Sequence, residues 1–387
     1  MSTLKVDAIR HNSATSDAIT TASDGTCTAK LTSVGGGQLS HRNLIINGDY
    51  RIAQRATSST TNGYQTMDRW YQYANNTGVT VTVAQVAITS GNAYDDGFRK
   101  AAKISLSGAG TANSNGEIEI FQKIEAQDIA NSGWNYKSSS SKITLSFWVK
   151  SSTAQTFPVH LRTEGGSNYG YGFTYTVTQA NVWQKISHSI AGNSNLVIND
   201  DNASGFRVYA GMPFQGSGFD GGSADTWVSY SPSTRVPPVP DTWLTAGAST
   251  FEITGVQLEV GDTATSFEHR SFGEELLRCQ RYYQQFVGLS DQAALGFGRS
   301  NGTTIAECNV PLSVPLRASP SLNSCNWAVF TATNQVAVNN TTPSVRKWDA
   351  YSNMLAIGIA GLSGMTNART LTVFLNSGHT FSMNAEL

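Results

Sequence analysis

Charge is scarce in this sequence, and neither sign dominates. Asp, Glu, Lys and Arg make up only 14% of the 387 residues, and the formal net charge is −1. Nucleic-acid binding draws on a clear Lys/Arg excess, so that class of partner is excluded as the main one, and a polybasic membrane patch with it. Long apolar runs are missing too. None approaches the ~20 residues of a membrane span, and the opening "MSTLKVDAIRHNSATSD" has no hydrophobic signal core. The chain is expected to stay out of membranes and to fold in the cytoplasm where it is made. Cysteine is sparse: Cys27, Cys279, Cys308 and Cys325 are far apart, with no C-x-x-C. Reduced, scattered thiols are the plain reading, and a Cys308–Cys325 pair in an oxidising setting is the alternative.

Catalytic signatures are also lacking. The six histidines are dispersed and show no H-E-x-x-H spacing. There is no G-x-S-x-G elbow, P-loop or dinucleotide fingerprint. The acidic pairs Asp95–Asp96 and Asp200–Asp201 sit in Gly/Asn-rich stretches where Asp serves turns. Adjacent carboxylates point apart and do not make the spaced pair of a glycosidase. No enzyme is expected, and no cofactor.

Glycine (36 residues), aromatics (10%) and Ser, Thr and Asn are plentiful, as befits strands joined by many turns. Apolar residues alternate repeatedly: Val79, Val81 and Val83; Ile118 and Ile120; Ile143, Leu145, Phe147 and Val149; Phe157, Val159 and Leu161; Tyr171, Phe173, Tyr175 and Val177; Phe206 and Val208. Period two with one apolar face predicts antiparallel sheets packed on one side, hence an all-β jelly-roll sandwich over 43–270. In "FEITGVQLEV" the phase switches at Gly255, where a bulge would return Phe251, Ile253, Val256, Leu258 and Val260 to one face of a last, central strand. "SPSTRVPPVPDTW", with four of the ten prolines, reads as a stiff loop.

A helix follows over 271–286. Ser271 and Glu274 have capping-box spacing, and Phe272, Leu276, Cys279, Tyr283 and Phe286 form one stripe. That stripe packs either on the adjacent sandwich or around a symmetry axis, the sandwich being favoured. After it, short strand patterns resume and predict a second, smaller β-sandwich domain over 287–387. Residues 1–42 are too poor in apolar side chains to fold alone, so they are either a tail or a segment ordered by a partner. The length suits more than one core.

The aromatics point to a ligand. Tyr169 and Tyr171, with Phe173 and Tyr175, share one strand face, and Phe214, Phe219, Trp227 and Tyr230 ride on the Gly-rich stretch 211–230. Aromatic planes match the C–H faces of a sugar, and Asn, Gln and Asp match its hydroxyls. The competing reading is that these rings fill the core, which is favoured for Trp70, Trp148 and Trp183.

Three segments carry a resemblance: "STLKVDAIRHNSATSDAI"; "RNLIINGDYRIAQRATS" followed by "MDRWYQY"; and "FEITGVQLEVGDTATSFEHRSFGEELLRCQRYYQ" with "VPLRASPS" after it. Together they resemble the tail-fibre-like structural proteins of marine bacteriophages, cyanophages especially. The resemblance implies a virion protein, most simply a trimeric tail fibre. Its N-terminus (Leu4, Val6 and Ile9) would dock on other virion proteins, and its β domains would attach to a host-surface glycan. A capsid decoration or head fibre is the alternative within that family, and a non-viral carbohydrate-binding module the alternative outside it. The central domain also looks like the carbohydrate-binding jelly rolls of polysaccharide-degrading enzymes. In these, the position after the aromatic of "NLIINGDY" is often acidic and helps to hold calcium. Here it is Arg51, which leaves Asp49, Glu259 and Asp262 as the carboxylates for such a structural ion.

Overall fold

The computed structural model describes residues 8–9, 19–21, 23, 27–29, 41–288, 292–331 and 335–387. The first three strands, β1 (Ala8–Ile9), β2 (Ile19–Thr21) and β3 (Cys27–Ala29), pair antiparallel with one another. Of the docking residues, Ile9 lies in β1, and Leu4 and Val6 lie outside the described residues.

The alternating segments fold as read. Their strands are β4 (Ser58–Ser59), β5 (Tyr71–Asn75), β6 (Val81–Ala87), β7 (Lys100–Leu106), β8 (Glu117–Glu125), β9 (Lys142–Ser151), β10 (Thr156–Thr163), β11 (Tyr169–Thr176), β12 (Gln184–Ala191), β13 (Ser204–Gln215), β14 (Thr226–Ser229) and β15 (Thr250–Val260). They form two six-stranded antiparallel sheets, in the orders β14-β11-β10-β13-β8-β5 and β12-β9-β15-β7-β6-β4. The chain crosses repeatedly from one sheet to the other, and the inward side chains of both meet in one core. Phe147, Phe157, Phe206, Phe251 and Leu258 are fully buried there, each worth about 1.5–3 kcal/mol of apolar burial. The sandwich is all-β and jelly-roll-like, and its helices α1 (Asn92–Asp95), α2 (Ala126–Ala130) and α3 (Thr242–Thr245) are single turns.

β15 is central, between β9 and β7, and its register slips between Thr254 and Gln257. Gly255 sits at that bulge with φ +63°. A Cβ there would come within 2.5 Å of the Phe98 ring, so only glycine fits.

The helix is shorter than the periodicity predicts. α4 spans Phe272–Gln280, with Ser271 Oγ accepting from the Glu274 N–H. Tyr283 and Phe286 instead belong to a strand, β16 (Tyr283–Val287), paired with a later segment, Thr380–Asn384. A ladder to a distant strand overrides the 4,3,4,3 spacing. The five residues therefore do not form one packed face: Cys279 is buried, Leu276 is half-buried, and Phe272 is 59% exposed.

Beyond it come β17 (Gln292–Asn301), β18 (Ile305–Pro311), β19 (Ser321–Leu322), β20 (Cys325–Thr331), β21 (Gln335–Thr341), β22 (Ser344–Lys347), β23 (Met354–Ile359), β24 (Thr370–Asn376) and β25 (Thr380–Asn384). They make a seven-stranded sheet, β21-β20-β24-β17-β18-β23-β22, and a three-stranded one, β16-β25-β19. The two enclose a separate core that includes Trp327, Ile357, Val373 and Phe381. Cys279, Cys308 and Cys325 are buried free thiols, and burial pushes Cys308 up to about 12 and Cys325 up to about 11.

Candidate glycan-binding face

The outward faces of the first sandwich differ in kind. On one sheet, Thr144, Ser146 and Lys150 of β9 line up with Ser189 and Ser187 of β12 and with Glu259, Gln257 and Glu252 of β15. That row is polar apart from Trp148, and much of it is buried, with Gln257 and Glu259 covered by Thr265 and Ser266. On the other sheet, Tyr71 of β5 pairs with Phe121 of β8, Lys123 of β8 with Arg207 of β13, and His160 and Arg162 of β10 with Tyr209 and Arg207 of β13. The rings run on from strand to strand. Centroid separations are 5.1 Å from Tyr64 to Tyr71, 4.8 Å from Tyr71 to Phe121, 4.8 Å from Phe121 to Tyr209, 5.4 Å from Tyr209 to His160 and 5.8 Å from His160 to Tyr230.

Guanidinium groups lie over this aromatic floor. Arg207 is 4.8 Å from the Phe121 centroid, Arg162 is 4.3 Å from that of Tyr230, and Arg235 is 4.6 Å from that of Phe219. Each such contact is worth about 0.5–2 kcal/mol as burial increases. Residues 216–222 and 231–237 form a strap across half of the face. They are tied by the Asp220–Thr234 bridge and by the Gly222 N–H to the Val236 carbonyl (2.9 Å), and Val236 packs with Phe121, Tyr209 and Met212.

Under the strap, Arg235 is ion-paired with Glu117 and Glu119. Burial pushes the Glu119 carboxyl up to about 7, against the pull of Arg235 and with the help of Glu117. Burial, then Arg235 and Arg162, hold His160 well below the usual imidazole range, so it is a neutral member of the track. The open half is different. Arg162 and Arg207 both pair with Glu164, and Lys123 Nζ donates to the main-chain oxygen of Leu387 at 3.0 Å. Burial opposes ionisation of Glu164, but Arg207, Ser204 and Arg162 outweigh it and lower that pKa. The Lys123 ammonium is lowered by burial and then by Arg207. Two guanidinium groups here share one carboxylate, and Lys123 stands beside them opposite Arg207.

The glycan contacts expected from sequence are mostly displaced. Phe214 lies on β13, not in a loop, and is buried in the core. Tyr171 and Trp227 are core residues as well, with the Trp227 indole donating to the Ala191 carbonyl at 2.8 Å, and Tyr169 packs against them. The reason is the glycine alternation in "YGYGF". The tyrosines face inward, and Gly170 and Gly172 face outward. A Cβ on Gly172 would lie 2.9 Å from the Arg235 carbonyl oxygen and one on Gly170 2.8 Å from the His160 ring, so the smallness of these residues seats the strap and His160. Phe219 and Tyr230 are half-buried on the outer face, as a binding role requires. Sequence reasoning missed Tyr71, Phe121, His160, Arg162, Arg207 and Tyr209. The available signal was the phase opposite to Ile120, Leu161 and Val208.

The carboxylates considered for calcium have other partners. Asp49 pairs with Arg51, Glu259 accepts from the Thr265 N–H and hydroxyl, and Asp262 accepts from Thr263. Among the described residues no group of three or more His, Cys, Asp or Glu is placed to hold a metal. Asp200 and Asp201 serve turns, accepting from Asn131 and from the Ala203 N–H.

The second and third of the segments that carried the viral resemblance converge where the two sandwiches meet. The Trp70 indole donates to the Asn47 carbonyl, and the Asn47 side chain donates to Ile52 and Asp68 carbonyls. Arg270 reaches the Asn43 and Ile45 carbonyls and pairs with Glu275. Arg69 stacks 3.4 Å from the Tyr282 centroid and pairs with Glu386. Arg281 makes a two-pronged pair with Glu125 at 2.8 and 2.9 Å. These residues build and join sandwiches.

No family model and no curated protein matches the chain. Among solved structures it is similar to the tailspike protein 4 enzymatically active domain of bacteriophage CBA120, at 11% identity and a TM-score of 0.29. That match covers 56% of this chain and 21% of the tailspike chain, so about a fifth of the latter is spanned. The chain is also similar to the CBM22-1 xylan-binding domain from Paenibacillus barcinonensis (11% identity, TM-score 0.26, 54% of this chain and 94% of that one). A third is the family 11 carbohydrate-binding module of a Clostridium thermocellum cellulosomal cellulase (10%, 0.25, 55% and 98%). The all-β, jelly-roll-like fold follows from the chain's own strand order.

Proposed function

We propose that this chain is a glycan-binding display protein that holds a saccharide across the outer face of the β14-β11-β10-β13-β8-β5 sheet. The observation that carries the reading is the open half of that face, where Arg162 and Arg207 share Glu164 above an aromatic floor and Lys123 stands opposite Arg207 in the ladder. Half-buried Tyr71 and Tyr230 offer ring faces to sugar C–H groups, and the cation excess selects glycans bearing carboxylate or sulfate groups. Affinity electrophoresis of the full chain in alginate and in dextran tests this. Retardation is expected in alginate, falling as salt rises, and about tenfold weaker in Arg162→Ala/Arg207→Ala. Equal mobility of variant and wild type in alginate would reject the site.

The virion setting is supported by the sequence resemblance, and self-association by the apolar groups exposed on and beside α4: Phe272, Leu277 (46%) and Val287 (40%). In this reading residues 1–42 dock the protein on the particle. Removing them abolishes incorporation while the remainder stays folded; particles that still carry the truncated protein would refute docking.

A further inference from the structure

A second concavity lies between the sandwiches, bordering the sheet face at Tyr64, whose hydroxyl donates to the same Leu387 oxygen as Lys123 Nζ. It is a cleft of about 510 Å³, within the size range of small-ligand sites, which favour domain interfaces. Arg55, Tyr64 and Gln65 line it from the first unit, and Tyr283, Gln285, Asn323 and Ser382 from the second.

Its chemistry is specific. Arg55 lies 3.7 Å from the Tyr283 centroid and 5.9 Å from that of Tyr64, so the two rings flank a single guanidinium. That cation is already compensated by Glu386 (3.2 Å) and Asp68 (3.7 Å), and neither carboxylate lines the cleft. Apart from Leu322, the remaining walls are neutral amides and hydroxyls. The amides are held in place by the protein itself. Gln285 Nε2 donates to the Gln54 carbonyl at 2.7 Å, while its Oε1 accepts the Tyr283 hydroxyl at 3.0 Å. Asn323 Nδ2 donates to the Thr380 carbonyl at 2.8 Å, and its Oδ1 accepts the Ser382 N–H at 2.6 Å. Gln285 keeps one N–H and one lone pair to spare, and Asn323 one lone pair, its second N–H reaching the Ser324 carbonyl at 3.4 Å. Fixed planar amides beside tyrosine rings, with the charge cancelled, suit a polyhydroxylated ligand without charge.

We propose that this junction cleft is a saccharide site for neutral glycans, adjoining the cation-rich sheet face at Tyr64 and otherwise lined by different residues. Because Tyr64 and Tyr283 come from different sandwiches, the site exists only while the two units are docked. The inference does not depend on the sheet-face reading.

The test uses the full chain labelled with 3-fluorotyrosine. ¹⁹F spectra are recorded against maltohexaose, laminarihexaose, cellohexaose and xylohexaose, with oligogalacturonate as the charged comparison. Resonances are assigned with Tyr64→Phe and Tyr283→Phe. We expect a neutral hexasaccharide to shift the Tyr64 and Tyr283 signals. Binding should weaken about tenfold in Tyr64→Ala and in the cleft-filling Ser382→Trp, with the melting temperature of Ser382→Trp unchanged. Arg162→Ala/Arg207→Ala should bind the same hexasaccharide as wild type does. If no neutral hexasaccharide moves either signal at millimolar concentration, or if Ser382→Trp binds as wild type does, the cleft is not a saccharide site. Loss of neutral-hexasaccharide binding in the arginine variant would likewise overturn this inference, whereas its loss of alginate binding bears on the sheet face only.

Discussion

Arg69 occupies a place hostile to arginine. It is 1% exposed, its φ is +72°, and it is held between the Tyr282 ring and the Glu386 carboxylate. A left-handed backbone at a non-glycine residue costs about 1–3 kcal/mol and persists only where its surroundings over-determine it. Here they do, through the ion pair, the ring and a bond from Arg69 to the Lys123 carbonyl at 2.6 Å. Arg69→Met removes one of the two guanidinium groups on Glu386, Arg55 being the other, and should cost up to about 3–5 kcal/mol in urea denaturation. Glu386→Gln in the same background should cost far less than it does alone, and additive effects would show that the pair is not coupled. Gly172 offers a complementary test. Gly172→Ala presses a methyl group on the Arg235 carbonyl and Pro237 and should cost about 1–3 kcal/mol while loosening the strap. Sequence alone showed that Tyr171, Phe173 and Tyr175 share a face. It did not show that this face is the buried one, because an aromatic row is equally compatible with core and with ligand.

Among the elements, α4 depends on local chemistry at its start and on distant chemistry at its end. The Ser271 cap was readable from the S-x-x-E spacing, and Ser271→Ala should destabilise the chain by about 1 kcal/mol. The end at Gln280 was not readable, because it is decided by the pairing of Tyr283–Val287 with Thr380–Asn384, close to a hundred residues on. The strap brings a pH dependence. Glu119 has an ordinary pKa near 4.5 when exposed and about 7 in the fold. The native chain therefore holds a proton that the unfolded chain has lost between those values. This contribution to stability is complete below pH 4.5 and disappears as pH rises through 7. Glu119→Gln should flatten the fall in melting temperature between pH 5 and pH 8. An unchanged slope would mean that Glu119 ionises as an exposed carboxylate does.

Across the whole molecule, the two sandwiches have separate cores but share a seam of buried charge. Arg281 and Tyr282 both bind Glu125, and the Arg317 side chain donates to the Asn202 and Ala385 carbonyls. A seam so well paired should make the units unfold in one calorimetric transition, and Arg281→Ala, which leaves Glu125 half-satisfied, should split it in two. A split already present in the wild type would count against coupling. If the exposed apolar groups of α4 mediate a trimer, light scattering should give three times the single-chain mass. A single-chain mass at every concentration, with or without the particle, would end that reading.

What the amino-acid sequence determined by itself was local: the alternation that makes strands, the glycine that permits the bulge at 255, and the serine that starts α4. These follow from backbone sterics and from which side chains water rejects, and both act over a few residues. What only the tertiary structure decided was which phase of each strand faces outward, where α4 stops, and which charges meet. Arg69 finds Glu386, and His160 finds Tyr209, through pairings between segments far apart in the chain. The energy of a buried charge or an outward ring depends on what lies across from it, and no stretch of sequence contains both partners.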